Sequence, residues 1–209
     1  MDTAHASVQL TAASRIASLY ASPMPRTCQH CNGPLDLLKP GRVPKYCSTR
    51  CRVAGNRATV PAEMRRMNRW VRWAPSKRPT GTTKRPIQLD GSPASSTDPT
   101  TWASYAQIRA HTRKGFVLGE GIGCIDLDHC LNPSGQLTPA AQEFLKKIPR
   151  TYIEISPSGD GLHIFGHIPE APGTKRVVNG LHIERYSQGR FMTVTGRRFP
   201  GASSTLAEI

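Results

Sequence analysis

Gly115 to Cys130 reads GFVLGEGIGCIDLDHC. Phe116-Val117-Leu118 and the run from Ile122 to Leu127 are short, apolar and β-prone, with glycines between them. That pattern predicts two strands joined by a tight glycine-rich turn. Side chains alternate faces along a strand. Ile125 and Leu127 are therefore expected to face a core, and Cys124, Asp126 and Asp128 the opposite side. Two carboxylates on one face of a buried strand repel each other, and Asp is depleted in strands. A cation between them relieves the repulsion, and hard divalent metals take carboxylate oxygens. The competing reading is a strand that simply ends in a polar loop.

Working outward, the 209 residues suffice for one ordinary domain and a small module. Gly and Pro, 18 of each, point to short elements and many turns. The formal net charge is +14, unevenly spread. Residues 26–85 hold 15 Lys and Arg against Asp36 and Glu63, whereas residues 86–209 hold 12 against 11 acids. Concentrated positive charge argues for a surface that binds a polyanion, and nucleic acid is the expected partner. A generally basic, solvated surface is the bland alternative. No apolar run is long enough to span a membrane, and the N-terminus lacks the layout of a secretory signal. Residues 1–25 read as a flexible or weakly helical tail, and the cysteines as reduced or metal-bound in a cytoplasmic setting.

Cys28 and Cys31, then Cys47 and Cys51, form C-x2-C and C-x3-C pairs fifteen residues apart. Such pairs let tight turns aim thiolates at one tetrahedral zinc, and four thiolates leave no open position, so the site reads as structural. Disulfides are the rival. Ser48-Thr49-Arg50-Cys51-Arg52 looks like a helix start carrying the second pair, and the segment resembles treble-clef-like zinc fingers with Y-C-S-x-x-C-R. Residues 26–58 would be this finger and 59–69 a helical basic linker. Arg50, Arg52, Arg57, Arg65, Arg66 and Arg69 are candidate nucleic-acid contacts. Trp70 and Trp73 suit either base stacking or a core, and the core is favoured.

Asp98 or Thr97 as cap, with Pro99 in the first turn, opens a helix expected over 100–111, and Thr138-Pro139 another over 138–148. Tyr152 to Ile155 reads as a strand, followed by the Ser/Gly loop Ser156-Pro157-Ser158-Gly159-Asp160-Gly161 and a returning strand from Leu162. A Ser/Gly loop offers N–H groups and hydroxyls to an anion. His163 stands just beyond it, on the face opposite Leu162 and Ile164. Leu181 to Tyr186 is a further strand with Ile183 inward and Glu184 outward, and Arg190 to Gly196 a closing one. Glu154 is a rival acid whose position also suits an exposed structural residue.

A strand with D-x-D, then a serine-to-histidine loop, then an apolar residue before a single acid, resembles the primase–polymerase (Prim-Pol) branch of the archaeo-eukaryotic primase superfamily, in its small phage and plasmid forms. Asp126 and Asp128, Ser158 and His163, and Ile183-Glu184 carry the resemblance, with Lys84 to Pro86 and Ala94 to Pro99 upstream. It covers residues 70–200, leaving 201–209 as a tail. Two departures stand out: the serine-to-histidine loop is longer than S-x-H, and the third acid is Glu.

The resemblance implies an α+β fold with an RRM-like antiparallel catalytic sheet. It implies nucleotide addition on single-stranded DNA, either extending or starting primers, in phage or plasmid replication. Asp126, Asp128 and Glu184 would hold two Mg²⁺ or Mn²⁺ ions. His163 with Ser156 or Ser158 would grip the triphosphate, and Lys84 and Arg190 would add phosphate contacts. No P-loop motif occurs, so a helicase partner would be a separate protein. A metal-dependent nuclease, or a non-catalytic zinc-finger DNA-binding protein, would share many of these features.

Overall fold

The computed structural model describes residues 28, 34, 35, 44, 46–57, 60–79 and 81–209, without the side chains of 54–57. The expected N-terminal tail, Cys31 and the Arg57 side chain lie outside the described residues. In chain order the elements are α1 (Thr49–Arg57), α2 (Ala62–Arg66), β1 (Trp70–Arg78), β2 (Gly81–Ile87), a 3-10 turn (Pro99–Thr101), α3 (Tyr105–Ile108), β3 (Lys114–Val117) and β4 (Ile122–Asp128). There follow α4 (Pro139–Leu145), β5 (Tyr152–Ile155), β6 (Leu162–His167), β7 (Thr174–Val178), β8 (Leu181–Tyr186) and β9 (Phe191–Val194). The fold is mixed α+β and dominated by antiparallel pairing.

The opening stretch sends the chain from one sheet to the other. β3 belongs to a four-stranded sheet ordered β2-β1-β3-β9, and β4 is the centre of a five-stranded sheet ordered β5-β6-β4-β8-β7. The two predicted strands are therefore not paired along their length. Only a Gly119–Ile122 bridge joins them. Gly119 has φ +139, and a Cβ there would meet the Arg69 guanidinium at 2.4 Å, so glycine is required for both torsion and space. Arg69 spends its donors here, on the carbonyls of Val117 and Leu118 at 2.8 Å each and on Glu120 at 2.9 Å. Its guanidinium also covers the Trp102 ring at 4.5 Å. Arg69 thus clamps the crossover, which corrects its expected place among nucleic-acid contacts.

β4 serves two cores. Ile122 and Cys124 join Trp70, Phe116, Tyr152 and Phe165 in one cluster, with Val60 and Met64 from the segment before β1. Ile125 and Leu127 join Leu162, Ile164, Leu181 and Ile183 in the other, closed by Ala141 and Phe144 of α4. Fully burying one such aliphatic or aromatic side chain is worth about 1.5–3 kcal/mol. Cys124 lies on the Asp126 face as expected, but that face is sealed at Cys124 and opens one step later, at Asp126.

Trp70 is fully buried, against Tyr105 and Phe116 at ring distances of 5.0 and 5.2 Å. Trp73 is half-buried, with Lys84 and Arg113 over its ring. The helix expected over 100–111 is broken, because Ala103 exchanges both backbone hydrogen bonds with Trp70 and must be extended there. Residues 201–209 are not a loose tail. His167 N–H donates to Ala207 O at 2.8 Å, Ile209 N–H returns to His167 O at 3.1 Å, and Ala202, Ser203 and Leu206 are buried. Nothing periodic marks these residues, since they dock as an extended segment rather than a helix. The linker's Val60 and Met64 are likewise anchored in the core rather than spanning solvent.

Candidate active site

Register across the five-stranded sheet brings five ionisable residues into one row. Glu154 of β5 faces His163 of β6, His163 faces Asp126 of β4, Asp126 faces Glu184 of β8, and Glu184 faces Lys175 of β7. Directly opposed residues in an antiparallel sheet share a face. Asp128 lies one step along, opposite His182.

Glu154 is fully buried, so it is not the exposed residue its sequence position allowed. It accepts from Tyr152 Oη at 2.8 Å, from the backbone N–H groups of Thr195 and Gly196 at 2.9 Å each, and lies 3.4 Å from His163 Nδ1. Two amides, a phenol and an imidazole replace the water it has lost. Its charge is also what pushes the Tyr152 phenol up, after burial itself. His163 is therefore held at Nδ1, leaving Nε2 directed to Asp126 Oδ1 at 3.7 Å.

Asp126 is the opposite case. Its side chain is only 19% exposed. No hydrogen-bond donor reaches it among the described residues; His163 Nε2 lies 3.7 Å away. Burial raises its pKa, His163 offsets part of that, and the charges of Asp128 and Glu184 raise it again. Glu184 is better supplied, by Lys175 Nζ at 2.5 Å and Tyr186 Oη at 2.7 Å. Burial pushes Glu184 up, but the Lys175 and Tyr186 hydrogen bonds outweigh it and hold the carboxyl below its usual value.

In front of Asp126 and His163 lies a cavity of about 520 Å³ whose far wall comes from the other sheet. Lys84 of β2, Arg190 before β9 and Thr193 of β9 line it. The sequence-named residues Asp126, His163, Lys84 and Arg190 thus meet at one cavity, where the Arg190 guanidinium reaches Glu184 at 4.0 Å and covers the Tyr186 ring at 4.1 Å. A half-buried carboxylate without a donor, beside two further carboxylates, fits a hard divalent cation. The three acids share the face without converging: among the described residues only the cysteines bring three ligand atoms within 4.8 Å.

Ser156 and Ser158 are not brought to this cavity. Ser158 donates to Asp160 at 2.5 Å, Ser156 and Ser158 hydroxyls meet at 2.8 Å, and Asp160 pairs with His129 at 2.6 Å. The Ser158 hydrogen bond, and then His129, hold the Asp160 carboxyl below its usual value. The loop satisfies its own hydroxyls and carries a negative charge where a triphosphate grip was expected.

Sequence reasoning underrated Glu154, and β7 with Lys175 was missed altogether. For Glu154 the signal was the alternation Tyr152, Glu154 on a strand pairing with the histidine strand. For β7, TKRVV looks like loop because all five residues are exposed.

Away from the sheets, Cys28, Cys47 and Cys51 gather their sulfurs within 4.8 Å, and Cys47 lies 3.5 Å from Cys51. Zinc–sulfur bonds of about 2.3 Å give a tetrahedron with edges of about 3.8 Å. The trio therefore fits zinc, with the Ser48 hydroxyl accepting from the Cys51 amide at the helix start. Arg50, Arg52, Arg65 and Arg66 are exposed on α1 and α2.

Over 154 residues, 68% of this chain, the sequence is 35% identical to a protein of Nitratiruptor phage NrS-1. That protein is a DNA primase-polymerase. The chain spans about a fifth of it, 21% of its length. No protein-family model matches the chain. The likeness to a primase-polymerase bears out the resemblance carried by the D-x-D strand, the histidine strand and the third acid. No helix among the described residues is long and apolar enough to cross a membrane.

Proposed function

We propose that this chain is the catalytic part of a DNA primase-polymerase, adding nucleotides to a primer or starting primers on single-stranded DNA. The observation that carries the reading is Asp126: a half-buried carboxylate with no donor, at a cavity that Lys84 and Arg190 also line. The likeness to the phage primase-polymerase supports it. On this reading the five-stranded sheet is the RRM-like catalytic core, and the finger is closed by Cys31 as the fourth zinc ligand.

Asp126, Asp128 and Glu184 would hold Mg²⁺ or Mn²⁺, which when bound activates the attacking hydroxyl and neutralises the triphosphate. Lys84 and Arg190 bind the triphosphate oxygens from the facing wall, where charge-assisted contacts are strong. His163 presents Nε2 to the same oxygens. Glu154 is a positioning residue: accepting from Nδ1, it fixes which nitrogen faces the cavity. Arg50, Arg52, Arg65 and Arg66 hold template phosphates, and the zinc finger aids initiation. The chain's partners on this reading are single-stranded DNA, nucleoside triphosphates and a replicative helicase, in the host cytoplasm.

The test is nucleotide incorporation on primed and unprimed single-stranded DNA with Mn²⁺ or Mg²⁺. Incorporation by the wild type and its loss in Asp126→Ala is expected. Shortening of the DNA without nucleotides would replace the reading with a nuclease. DNA binding with no incorporation by either protein would reduce it to a binding module.

A further inference from the structure

The acid row continues past Glu184 onto a surface the proposed chemistry has not used. β7 is the outer edge of the five-stranded sheet, and all five of its residues are exposed. Register sets Lys175 opposite Glu184 and Val177 opposite His182, while His182 lies opposite Asp128. Lys175, Val177 and His182 therefore share the face of Asp126 and Asp128. Val177 is 59% exposed and Val178 44%; with Val53 these are the large apolar side chains left open among the described residues. A hollow of about 330 Å³ lies at this edge, lined by Lys175, Arg176, Val177, His182, Ile183 and Glu184. Asn179 and Gly180 close the β7–β8 hairpin with φ of 50° and 78°. Two positive torsions in a two-residue loop match the twist of a tight hairpin, so the surface is a defined element rather than a slack loop.

We infer that the active-site face of this hairpin seats the 3′-terminal nucleotide of the strand being extended. The inference rests on the proposed polymerase reading and adds where the strand enters. Phosphoryl transfer runs in line, with attacking and leaving oxygens on opposite sides of the phosphorus. The cavity with Lys84, Arg190 and His163 suits the triphosphate and its leaving pyrophosphate. It reaches the row at Asp126 and His163. The hollow reaches the row at Glu184, with His182 beside Asp128. The attacking hydroxyl then enters from the hairpin side.

The chemistry there fits a nucleotide end. Lys175 can meet its phosphate, Val177 offers an apolar seat for sugar and base, and His182 can hydrogen-bond an edge. β7 carries no acid, and of its two cations Lys175 is on this face and Arg176 on the other. Lys175 now neutralises Glu184, so a phosphate would draw it away as Glu184 turns to a cation. A bare edge strand also invites another strand, including one from a second copy. Continuity with the acid row, with Lys175 on the same face, argues for DNA, and self-association is an outcome of the test.

The experiment uses the full chain, without divalent metal, and a primer ending in photoreactive 4-thiothymidine annealed to a longer template. Cross-linked peptides should map to 174–186. Binding is read by fluorescence anisotropy for primed DNA and for the template strand alone. Val177→Ser with His182→Ala should weaken primed DNA about five-fold or more and the single strand less than about two-fold. Val178→Ser, also exposed but on the far face, is the folding control and should bind as wild type. Cross-links elsewhere, equal weakening of both DNAs, or a dimer in sedimentation that Val177→Ser dissolves would each overturn the inference. If the wild type incorporates nucleotides while the cross-link maps elsewhere, only the strand seat is wrong. If it incorporates none, the polymerase reading itself falls.

Discussion

Glu154 and Asp126 sit two strands apart in one row, flank the same histidine, and are built to opposite rules. Glu154 is fully buried and surrounded by two amides, a phenol and an imidazole. Asp126 is partly open and has no donor among the described residues; Asp128 and Glu184 crowd it with like charge, and His163 at 3.7 Å and Lys84 oppose that. Burial by itself would rank Glu154 as the anomaly. Counting donors reverses the order: the buried acid is satisfied, and the open one is left for a partner from outside.

The contrast can be broken from either end. The largest effect is expected at Asp126. Asp126→Ala should lower nucleotide incorporation by about a thousand-fold or more while leaving unfolding by heat no easier, since one metal ligand is lost and no packing with it. At the other end, Glu154→Ala should cost about 3 kcal/mol in urea unfolding, because buried donors are left unpaired. If Asp126→Ala unfolds the protein and Glu154→Ala does not, the two roles are exchanged.

A smaller effect tests the facing wall. Lys84→Ala and Arg190→Ala should each raise the KM for nucleotide, by about ten-fold, with a lesser change in kcat. A kcat loss at unchanged KM would move these cations out of ground-state binding.

The smallest effect is expected in the serine loop. Asp160 has a lowered pKa, from Ser158 first and His129 next. Its stabilising contribution is therefore full above the ordinary Asp value of about 3.9 and lost as pH falls through the lower folded value. Asp160→Asn should melt slightly below wild type at pH 7 and converge with it in acid, with little change in nucleotide KM. A large KM increase would return the loop to the triphosphate.

Much of this was legible in the chain, for particular reasons. Where Ile125-Asp126-Leu127-Asp128, Leu162-His163-Ile164 and Leu181-His182-Ile183-Glu184 alternate, the apolar residues announce a core side and the acids fall on the other, although Ile122, Cys124 and Phe165 on the acid face belong to a second core. The cysteine spacing announces its own cluster. Three things were not legible. Sheet membership depends on long-range pairing, so the glycines between β3 and β4 looked like a hairpin turn when they are a crossover between sheets. Arg69 sits in a basic run that suggests DNA, yet the backbone carbonyls it satisfies lie about fifty residues away. The serine loop offers anion-binding groups in sequence, but Asp160 takes them locally.

The account turns on Asp126 being the acid kept open for a cation and Glu154 the acid already satisfied. Mn²⁺ binding followed by electron paramagnetic resonance, on wild type, Asp126→Asn and Glu154→Gln without nucleotide or DNA, separates them directly. The account predicts that Asp126→Asn loses the ion and Glu154→Gln retains it. Retention by Asp126→Asn with loss in Glu154→Gln would contradict it.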